Sequence, residues 1–301
     1  MPEICEVIIT THFIKSKLKN KLITRIKVLS GRYLKNKLDV DLINKNQPFK
    51  LSNIDSKGKF IWFELKKVGN DDQVYILNTL GLTGTWSLVK NSFSRIKINY
   101  VNANNEKFKL YYNDQLNFGT LKITDNYDEI QKKLNKLGPD LIKDDFDYVY
   151  FKEKINKLKK KKAPIIKILM TQEDKNGVGS GIGNYLSVEI LYNAKISPFR
   201  KINSLSEAEI KKLFHSIKFT LRLCYYNNSI GYMEEFADFI EKHKRGIQSG
   251  KYPNYLENVN IGNAEFKFNV YRKKEDPDGN PVKVDKIINN RSTYWVPAVQ
   301  K

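Results

Sequence analysis

Three residues at the amino terminus, Pro2, Glu3 and Glu6, have types that can do chemistry together. Removal of the initiator methionine would leave Pro2 as a secondary amine, a nucleophile able to form an iminium with the C1′ carbon of a sugar. With an ordinary α-amino pKa of about 8, roughly a tenth of such groups is neutral at pH 7, and desolvation raises that fraction. The bland alternative is a helix start, because Pro suits the first turn and acids there complement the helix dipole.

Three further segments carry side chains of interest in the first half of the chain. In SKGKF, Lys59 is either a solvated lysine that protects a strand edge or a contact to a phosphate or sugar. The segments NTLGLTGTW and NDQLNFGT are either plain turns or loops that offer Leu82 and Phe118 to a DNA duplex. Apolar side chains on such loops can fill the gap left by a flipped nucleotide.

Two phosphate-binding candidates follow in the second half. The glycine-rich segment GVGSGIGN precedes an amphipathic helix, and its backbone amides and the Asn184 side chain could bind phosphate. No Lys-Ser or Lys-Thr pair follows the glycines, so a nucleotide-hydrolysing loop is disfavoured. Arg291 stands at a predicted hairpin tip, as a phosphate clamp or as an ordinary exposed turn residue.

The composition favours a nucleic-acid partner. Fifty-three Lys and Arg residues against 33 Asp and Glu give a formal charge of +20, which is more than solubility requires. With two cysteines, Cys5 and Cys224, neither a disulfide framework nor a four-cysteine zinc site is predicted. The absence of a signal-like or membrane-spanning apolar run predicts an intracellular protein without a membrane partner.

Hydrophobic periodicity divides the chain into regions that must position these residues. Residues 2–19 read as a helix, and residues 22–125 carry short alternating runs typical of a β-sandwich or flattened barrel. Helical spacing then appears at residues 147–160, 164–172, 184–194 and 206–228, and the last segment predicts an antiparallel hairpin around DPDGNP and NNR. The predicted fold class is therefore α+β and multidomain, with domains at residues 1–130 and 147–250, a linker at 131–146, and a hairpin module at 251–301.

The co-linear motifs MPEICE, SKGKF, LGLTG, NFG, LGPD, GIGNYLSVEIL and RSTYWVPAVQ resemble the formamidopyrimidine-DNA glycosylase and endonuclease VIII family. The resemblance implies an amino-terminal helix and β-sandwich, a helix-two-turns-helix domain and a terminal finger. It also implies roles: Pro2 as the Schiff-base nucleophile, Glu3 as the acid/base group, and Lys59 and Glu6 as further active-site residues. Asn184 and Arg291 then bind phosphate, and Leu82 and Phe118 are wedge residues.

The chain departs from the family pattern at several positions. The wedge arginine falls on Leu116, and the histidine before the LG turn falls on Thr79. The second cysteine pair of the zinc finger falls on Val296 and Val299, and the first pair falls in EDPDGNP, so no metal or other cofactor is expected. The finger should instead be held by packing of Tyr294, Trp295 and Val296. These departures resemble those of the zincless endonuclease VIII-like branch. The heavy use of Lys, Asn, Ile and Tyr, which is typical of an AT-rich genome, suggests the giant-virus member of that branch.

The resemblance implies a monomeric, bifunctional DNA glycosylase and AP lyase of base excision repair. Expected lesions are thymine glycol, dihydrouracil and 5-hydroxyuracil, followed by formamidopyrimidines, in double-stranded DNA and also in single-stranded or bubble DNA. The expected location is the nucleus or a viral replication compartment. The main alternative is a catalytically silent protein of the same fold that binds damaged DNA; a basic structural or RNA-associated protein accounts for the charge but not for the ordered motifs.

Overall fold

A computed structural model describes residues 2–159, 161–227, 237–288 and 290–301. The described residues form two compact units. The N-terminal unit contains residue 2, residues 6–135 and residues 237–241, whereas the C-terminal unit contains residues 3–5, 136–227 and 242–301 within the described ranges. No described helix is both long and apolar enough to cross a membrane.

The N-terminal unit is built on helix α1 and one antiparallel sheet. Helix α1 (Ile4–Leu18) begins with Glu6 in its first turn and ends with two lysines, so both ends complement the helix dipole. The sheet has the strand order β5-β7-β6-β1-β2-β3-β4-β8. Its strands are β1 (Leu22–Val28), β2 (Phe49–Lys57), β3 (Phe60–Lys67), β4 (Gln73–Thr79), β5 (Gly84–Ser87), β6 (Ser94–Val101), β7 (Lys107–Asp114) and β8 (Thr120–Thr124).

The sheet folds over so that strands near its two ends face each other. Trp86 on β5 is fully buried, lies 5.5 Å from the Phe63 ring on β3, and donates from Nε1 to Asn78 Oδ1 on β4 at 3.0 Å. Neither β3 nor β4 is hydrogen-bonded to β5. The predicted sandwich is therefore confirmed, and its core lies between the two layers.

Short helices lie at the borders of this unit. Helix α2 (Asp41–Asn44) follows β1, and the Asn44 side chain both donates to and accepts from the Ile26 backbone. Helix α3 (Asp128–Leu134) occupies the start of the segment predicted to be a linker at 131–146. The division between the two units falls directly after this helix, between Asn135 and Lys136.

The C-terminal unit is helical, as predicted, with small shifts of the helix ends. Its helices are α4 (Tyr148–Lys157), α5 (Ile165–Met170), α6 (Asn184–Ala194) and α7 (Glu207–Tyr226), and α8 (Ala237–Gln248) begins in the N-terminal unit's residues. Ser206 and Glu209 form a complete capping box at the start of α7. Nine of the eleven residues of α6 are buried, so this helix is the centre of the unit.

The predicted terminal hairpin is present as β9 (Lys283–Ile288) and β10 (Arg291–Trp295), which pair antiparallel. The DPDGNP segment does not join two strands. It is a separate turn, closed by the carboxylate of Asp276, which accepts hydrogen bonds from the backbone amides of Asp278 and Asn280 at 3.0 and 2.7 Å. The other Asp276 oxygen accepts from the Tyr192 hydroxyl of α6 at 3.1 Å, and this turn is thereby attached to the centre of the unit.

The residues expected to hold the finger are packed. Val296 is fully buried. The Trp295 and Phe199 rings pack edge to face with their centroids 5.1 Å apart, and the centroids of the Tyr294 and Tyr271 rings are 5.3 Å apart. Gln300 adds a polar link, since its side chain accepts from Val296 N at 2.7 Å and donates to Ile196 O at 3.0 Å.

Candidate active site

Pro2 lies two residues before the start of α1 at Ile4 and is buried. The backbone of Ile4, the first helical residue, donates to Gly181 O at 3.2 Å. Gly181 has a φ of +113°, and a Cβ there would lie 2.5 Å from the Ile4 side chain. A glycine is thus required where the start of α1 meets the glycine-rich segment.

Glu3 is fixed at the amino end of α6. Its side chain is fully buried, and its two oxygens accept hydrogen bonds from the backbone N–H of Gly183 and, at 3.0 Å, of Tyr185. These amides would otherwise be unsatisfied donors at the helix start, where the helix dipole also favours a negative charge. The predicted acid/base group therefore sits in one orientation, one residue from the Pro2 amine.

Asn184 joins α6 to the hairpin. Its side-chain nitrogen donates to Ser292 O on β10 at 3.0 Å, and its Oδ1 is buried without a hydrogen-bond partner. Leaving a buried acceptor unpaired costs about 1 to 3 kcal/mol. The predicted phosphate ligand is thus held beside the hairpin. Its unpaired oxygen is an acceptor, so only the second N–H of the side-chain amide could donate to a phosphate. Arg291, the residue before Ser292, is exposed at the tip of the same hairpin.

Two residues of this site were missed by the sequence reasoning. Glu189 of α6 is buried, and its carboxylate accepts from the backbone amides of Asn269, Val270 and Tyr271 at 2.9 to 3.0 Å. Burial raises the pKa of Glu189, and the three backbone donors oppose that rise. The signal available in the sequence is an acid within the mostly apolar helix segment LSVEIL.

The hydrogen bonds to the Glu189 carboxylate hold the backbone of Tyr271, whose ring lies near Glu3. Burial raises the pKa of Tyr271, the nearby Arg272 guanidinium opposes that rise, and the Glu3 carboxylate adds to it. The Tyr271 ring also contacts Phe268 at 5.0 Å and Tyr185 at 6.1 Å. Glu3, Asn184, Tyr271 and the Arg291 hairpin therefore form one cluster around the start of α6, and sequence spacing alone could not have placed Tyr271 in it.

Lys59 and Glu6 belong to the N-terminal unit. Lys59 is half-buried in the two-residue turn between β2 and β3, where the preceding Gly58 has a φ of +56°. Glu6 is fully buried in the first turn of α1, which is unusual for an acid, and its role in the active site stays a prediction.

Residues 114–119, which are the last residue of β7 and the loop that leads to β8, are here called the wedge loop. Leu116 and Phe118 are 48% and 59% exposed, so the predicted wedge residue Phe118 and Leu116, at the position of the family's wedge arginine, both project from the surface. Leu82 is only half-exposed, in a turn that packs on this loop: a Cβ on Gly81 would meet Gly119 N at 2.5 Å.

The wedge loop is pinned by hydrogen bonds. Asp114 accepts from Gly119 N at 2.8 Å and from the Thr83 hydroxyl at 2.6 Å, and Thr83 in turn accepts from Leu116 N at 2.9 Å. Arg95 donates to Asp114 O at 2.8 Å. The exposed side chains of Leu116 and Phe118 are thus carried by a fixed backbone.

No group of three or more His, Cys, Asp or Glu side chains that could hold a metal ion was found among the described residues. Both cysteines are buried outside the hairpin, and Val296 and Val299 offer no metal-binding atoms in their side chains. The sequence-based expectation of a finger without zinc remains a prediction.

Comparisons with known proteins agree along the chain. Three family models match: the formamidopyrimidine-DNA glycosylase N-terminal domain over residues 1–121, its H2TH domain over 137–231 and its C-terminal domain over 257–301. Proteins named formamidopyrimidine-DNA glycosylase include one from Prochlorococcus marinus strain MIT 9215, which is 32% identical over the whole of both chains. Another, from Psychromonas ingrahamii, is 29% identical over 72% of this chain and 76% of its own.

Solved structures share the fold. The Lactococcus lactis Fpg in complex with DNA containing an abasic site has a TM-score of 0.73 at 20% identity, covering 99% of each chain. The MutM (Fpg) protein of Thermus thermophilus has a TM-score of 0.70 at 21% identity, covering 99% of this chain and 98% of that one.

Proposed function

Since the chain belongs to the formamidopyrimidine-DNA glycosylase family, and is thereby a DNA glycosylase of base excision repair, we propose that it acts through a covalent bond from Pro2 to the damaged nucleotide. The observation that carries the proposal is the fixed, buried carboxylate of Glu3, one residue from the amine that methionine removal would expose.

In the proposed reaction, the Pro2 nitrogen forms a bond to C1′ of a flipped nucleotide and the bond from C1′ to the base breaks. Glu3 takes up the proton that the Pro2 nitrogen releases and delivers it to the ring oxygen as the sugar ring opens, while the departing base takes a proton from solvent. The resulting iminium makes the neighbouring C2′ proton acidic, and its loss expels the 3′ phosphate by β-elimination. Loss of the C4′ proton then expels the 5′ phosphate by δ-elimination. The protein is therefore proposed to be an AP lyase as well as a glycosylase.

Damaged duplex DNA is the proposed substrate. Lactococcus lactis Fpg has been solved with abasic-site DNA and with DNA containing a formamidopyrimidine lesion. In this chain, Arg291 is exposed and Asn184 lies beside its hairpin, an arrangement suited to gripping a phosphate. Phe118 and Leu116 are suited to occupy the space that a flipped base leaves.

For the lesion, the names of the relatives favour formamidopyrimidines, and the sequence-based expectation adds the oxidised pyrimidines thymine glycol, dihydrouracil and 5-hydroxyuracil. The aliphatic Leu116, in place of a wedge arginine, offers no hydrogen bond to an opposite base. We therefore propose weak dependence on the paired base, which suits acceptance of bubble and single-stranded DNA.

The test is borohydride trapping of protein with a verified Pro2 amino terminus on duplexes that contain an abasic site, thymine glycol or a formamidopyrimidine. A covalent adduct is expected, with strand cleavage when borohydride is omitted. Pro2→Gly should slow trapping, and a blocked amino group, produced by a residue retained before Pro2, should abolish it. Tight lesion binding without an adduct or cleavage would instead support the silent binding protein.

A further inference from the structure

We propose that one outward sheet face of the N-terminal unit is a second surface for DNA, which binds phosphate groups without regard to damage. The basic face is defined by Arg25 and Lys27 on β1, Lys97 on β6 and Lys109 on β7. These residues stand on strands, apart from the turns and loops that carry Lys59, Leu82, Leu116 and Phe118.

Strand register places the four cations on one side of three adjacent strands. Lys27 is directly opposite Lys97, while Arg25 and Lys109 are both opposite Asn99. Partners across an antiparallel pair lie on the same face, with Cβ atoms about 4.5 to 5.5 Å apart. The intervening residues Ile26, Ile98 and Leu110 are buried on the other face, so the cations point away from the core.

This arrangement opposes folding. Like charges directly opposite each other on paired strands are destabilising. The pKa of Lys97 is lowered first by desolvation and then by Lys109, Lys27, Lys90 and Arg25, so four cations dominate the charge around it. Among the described residues, no ion pair includes a member of the basic face.

Other lysines of the same unit have acidic partners close by. Lys45, Lys66 and Lys122 have acidic partners at 3.0, 2.7 and 2.5 Å. Several exposed lysines of this unit therefore have an acidic partner, whereas none of the four cations of the basic face has one among the described residues. Mutual repulsion without a local partner is explained if a polyanion supplies the missing charge.

The shape of the surface selects an extended polyanion. The four cations are spread across three strands of a sheet and are not gathered at one turn or helix end, so they do not converge on a single small anion. The basic face does match the regularly spaced charges of a DNA backbone, which can be neutralised by lysine and arginine without sequence readout. We therefore assign the face to double-stranded DNA outside the lesion.

The test uses the full chain with the fourfold variant R25Q/K27Q/K97Q/K109Q. Its matched control, K45Q/K66Q/K67Q/K122Q, removes the same number of charges from lysines that have acidic partners. Binding to an undamaged 30-base-pair duplex is measured by fluorescence anisotropy at several salt concentrations. A charge-preserving variant, K27R/K97R/K109R, should retain wild-type binding.

We expect the face variant to bind at least tenfold more weakly than the control at low salt. The slope of log affinity against log salt should also fall by about 2 to 4 units, since each lost phosphate contact removes about 0.9. Its thermal stability should equal or exceed that of the wild type because repulsion is relieved. Should the fourfold variant fail to fold, K27Q/K97Q against K45Q/K66Q gives the same comparison at half the effect.

A loss of binding no greater than that of the matched control would overturn the proposal. So would preferential binding of the wild-type face to vesicles of phosphatidylcholine and phosphatidylserine, with DNA affinity unchanged by the variant. The readout is independent of catalysis: borohydride trapping tests Pro2 on damaged DNA, whereas this comparison uses undamaged DNA and holds even if trapping fails.

Discussion

Two buried carboxylates at one helix show how a charged residue can be used in different ways. Glu3 satisfies backbone amides at the start of α6, and Glu189, within α6, satisfies three amides of the segment 269–271. Glu189 positions Tyr271 through its backbone, whereas Glu3 adjoins the Pro2 amine in the chain. Glu189 is a positioning residue, and Glu3 is the proposed acid/base catalyst.

Glu3→Gln tests this assignment. The amide nitrogen of Gln would face a backbone N–H, so one hydrogen bond would be replaced by two opposed donors. We expect base excision to slow by about 10²- to 10⁴-fold, as for loss of a general acid. The free energy of unfolding should fall by about 1 to 3 kcal/mol.

The matched control is Glu209→Gln, which alters a carboxylate that accepts from the Ser206 backbone amide at 2.7 Å in the capping box of α7. Its excision rate should stay near wild type while its stability falls, as measured by single-turnover kinetics and urea unfolding. Equal losses of excision rate in the two variants would contradict a chemical role for Glu3.

At the level of elements, the wedge loop joins a fixed backbone to exposed apolar side chains. Gly119 closes it, because a Cβ at that position would lie 1.7 Å from the Tyr112 hydroxyl. The loop has therefore little freedom to rearrange around that residue.

Leu116→Ala and Phe118→Ala should separate binding to a duplex from stability. Because both side chains are about half-exposed or more, the free energy of unfolding should change by less than about 0.5 kcal/mol. Excision from a duplex should slow by roughly tenfold, since unstacking costs a few kcal/mol, while excision from single strands should stay unchanged. Leu34→Ala, which alters a side chain that is 63% exposed, is the control. Equal slowing on both DNA forms would refute the wedge role.

The finger is an element in which local hydrogen bonds and packing hold turns. Asp276 closes one turn and Gln300 closes another, so we expect metal chelators to leave the finger intact. A structural zinc contributes about 10 to 16 kcal/mol in finger peptides, and its removal would be obvious. Dialysis against EDTA and phenanthroline should leave both the melting temperature and excision unchanged. Stoichiometric zinc by atomic emission, lost together with stability, would disprove this expectation.

Sequence patterns predicted those elements whose cause is local. The acids and lysines at the ends of α1, and the alternating residues of β3 and β6, were sufficient for their assignment. The contacts of Glu189 could not be predicted, because its partners lie about 80 residues away in an irregular segment. Helix α3 overlaps the predicted linker because DEIQKKL is short and has one buried residue, Ile130, so its sequence gives only a weak helical pattern.

The candidate site also has features that the sequence could predict and features that it could not. A family motif could point to Pro2, Glu3, Asn184 and Arg291, since it fixes residue type and order. It could not show that the Asn184 amide nitrogen bonds to Ser292 or that Leu82 is partly covered, because both depend on how separate loops meet.

For the molecule as a whole, His243 should make stability depend on pH. Burial lowers its pKa from 6.5 to about 4, and its ring stacks on Tyr252 at 4.8 Å. Between pH 6.5 and 4 the unfolded chain binds this proton and the folded chain does not, so stability is lost as the pH falls through that window. The loss from this residue is on the order of 3 kcal/mol.

His243→Phe keeps an aromatic ring against Tyr252 and Tyr225 but removes the titration. The difference in unfolding free energy between the variant and the wild type should be constant above pH 6.5. It should shift progressively in favour of the variant as the pH falls toward 4, as followed by urea unfolding at each pH. A constant difference across the whole range would show that His243 titrates normally.

The pinned wedge loop has a consequence for how damage is selected. A loop whose backbone is already fixed loses little conformational entropy when it enters a duplex. The free energy of wedge insertion that differs between one DNA site and another therefore comes mainly from the DNA. What varies is the stacking of each nucleotide on its neighbours, which is weakest at damaged or mismatched positions. Under the proposed wedge role, discrimination would begin in the DNA itself: the protein would act as a rigid probe, and the nucleotide that yields to it most readily would be the one presented to Pro2.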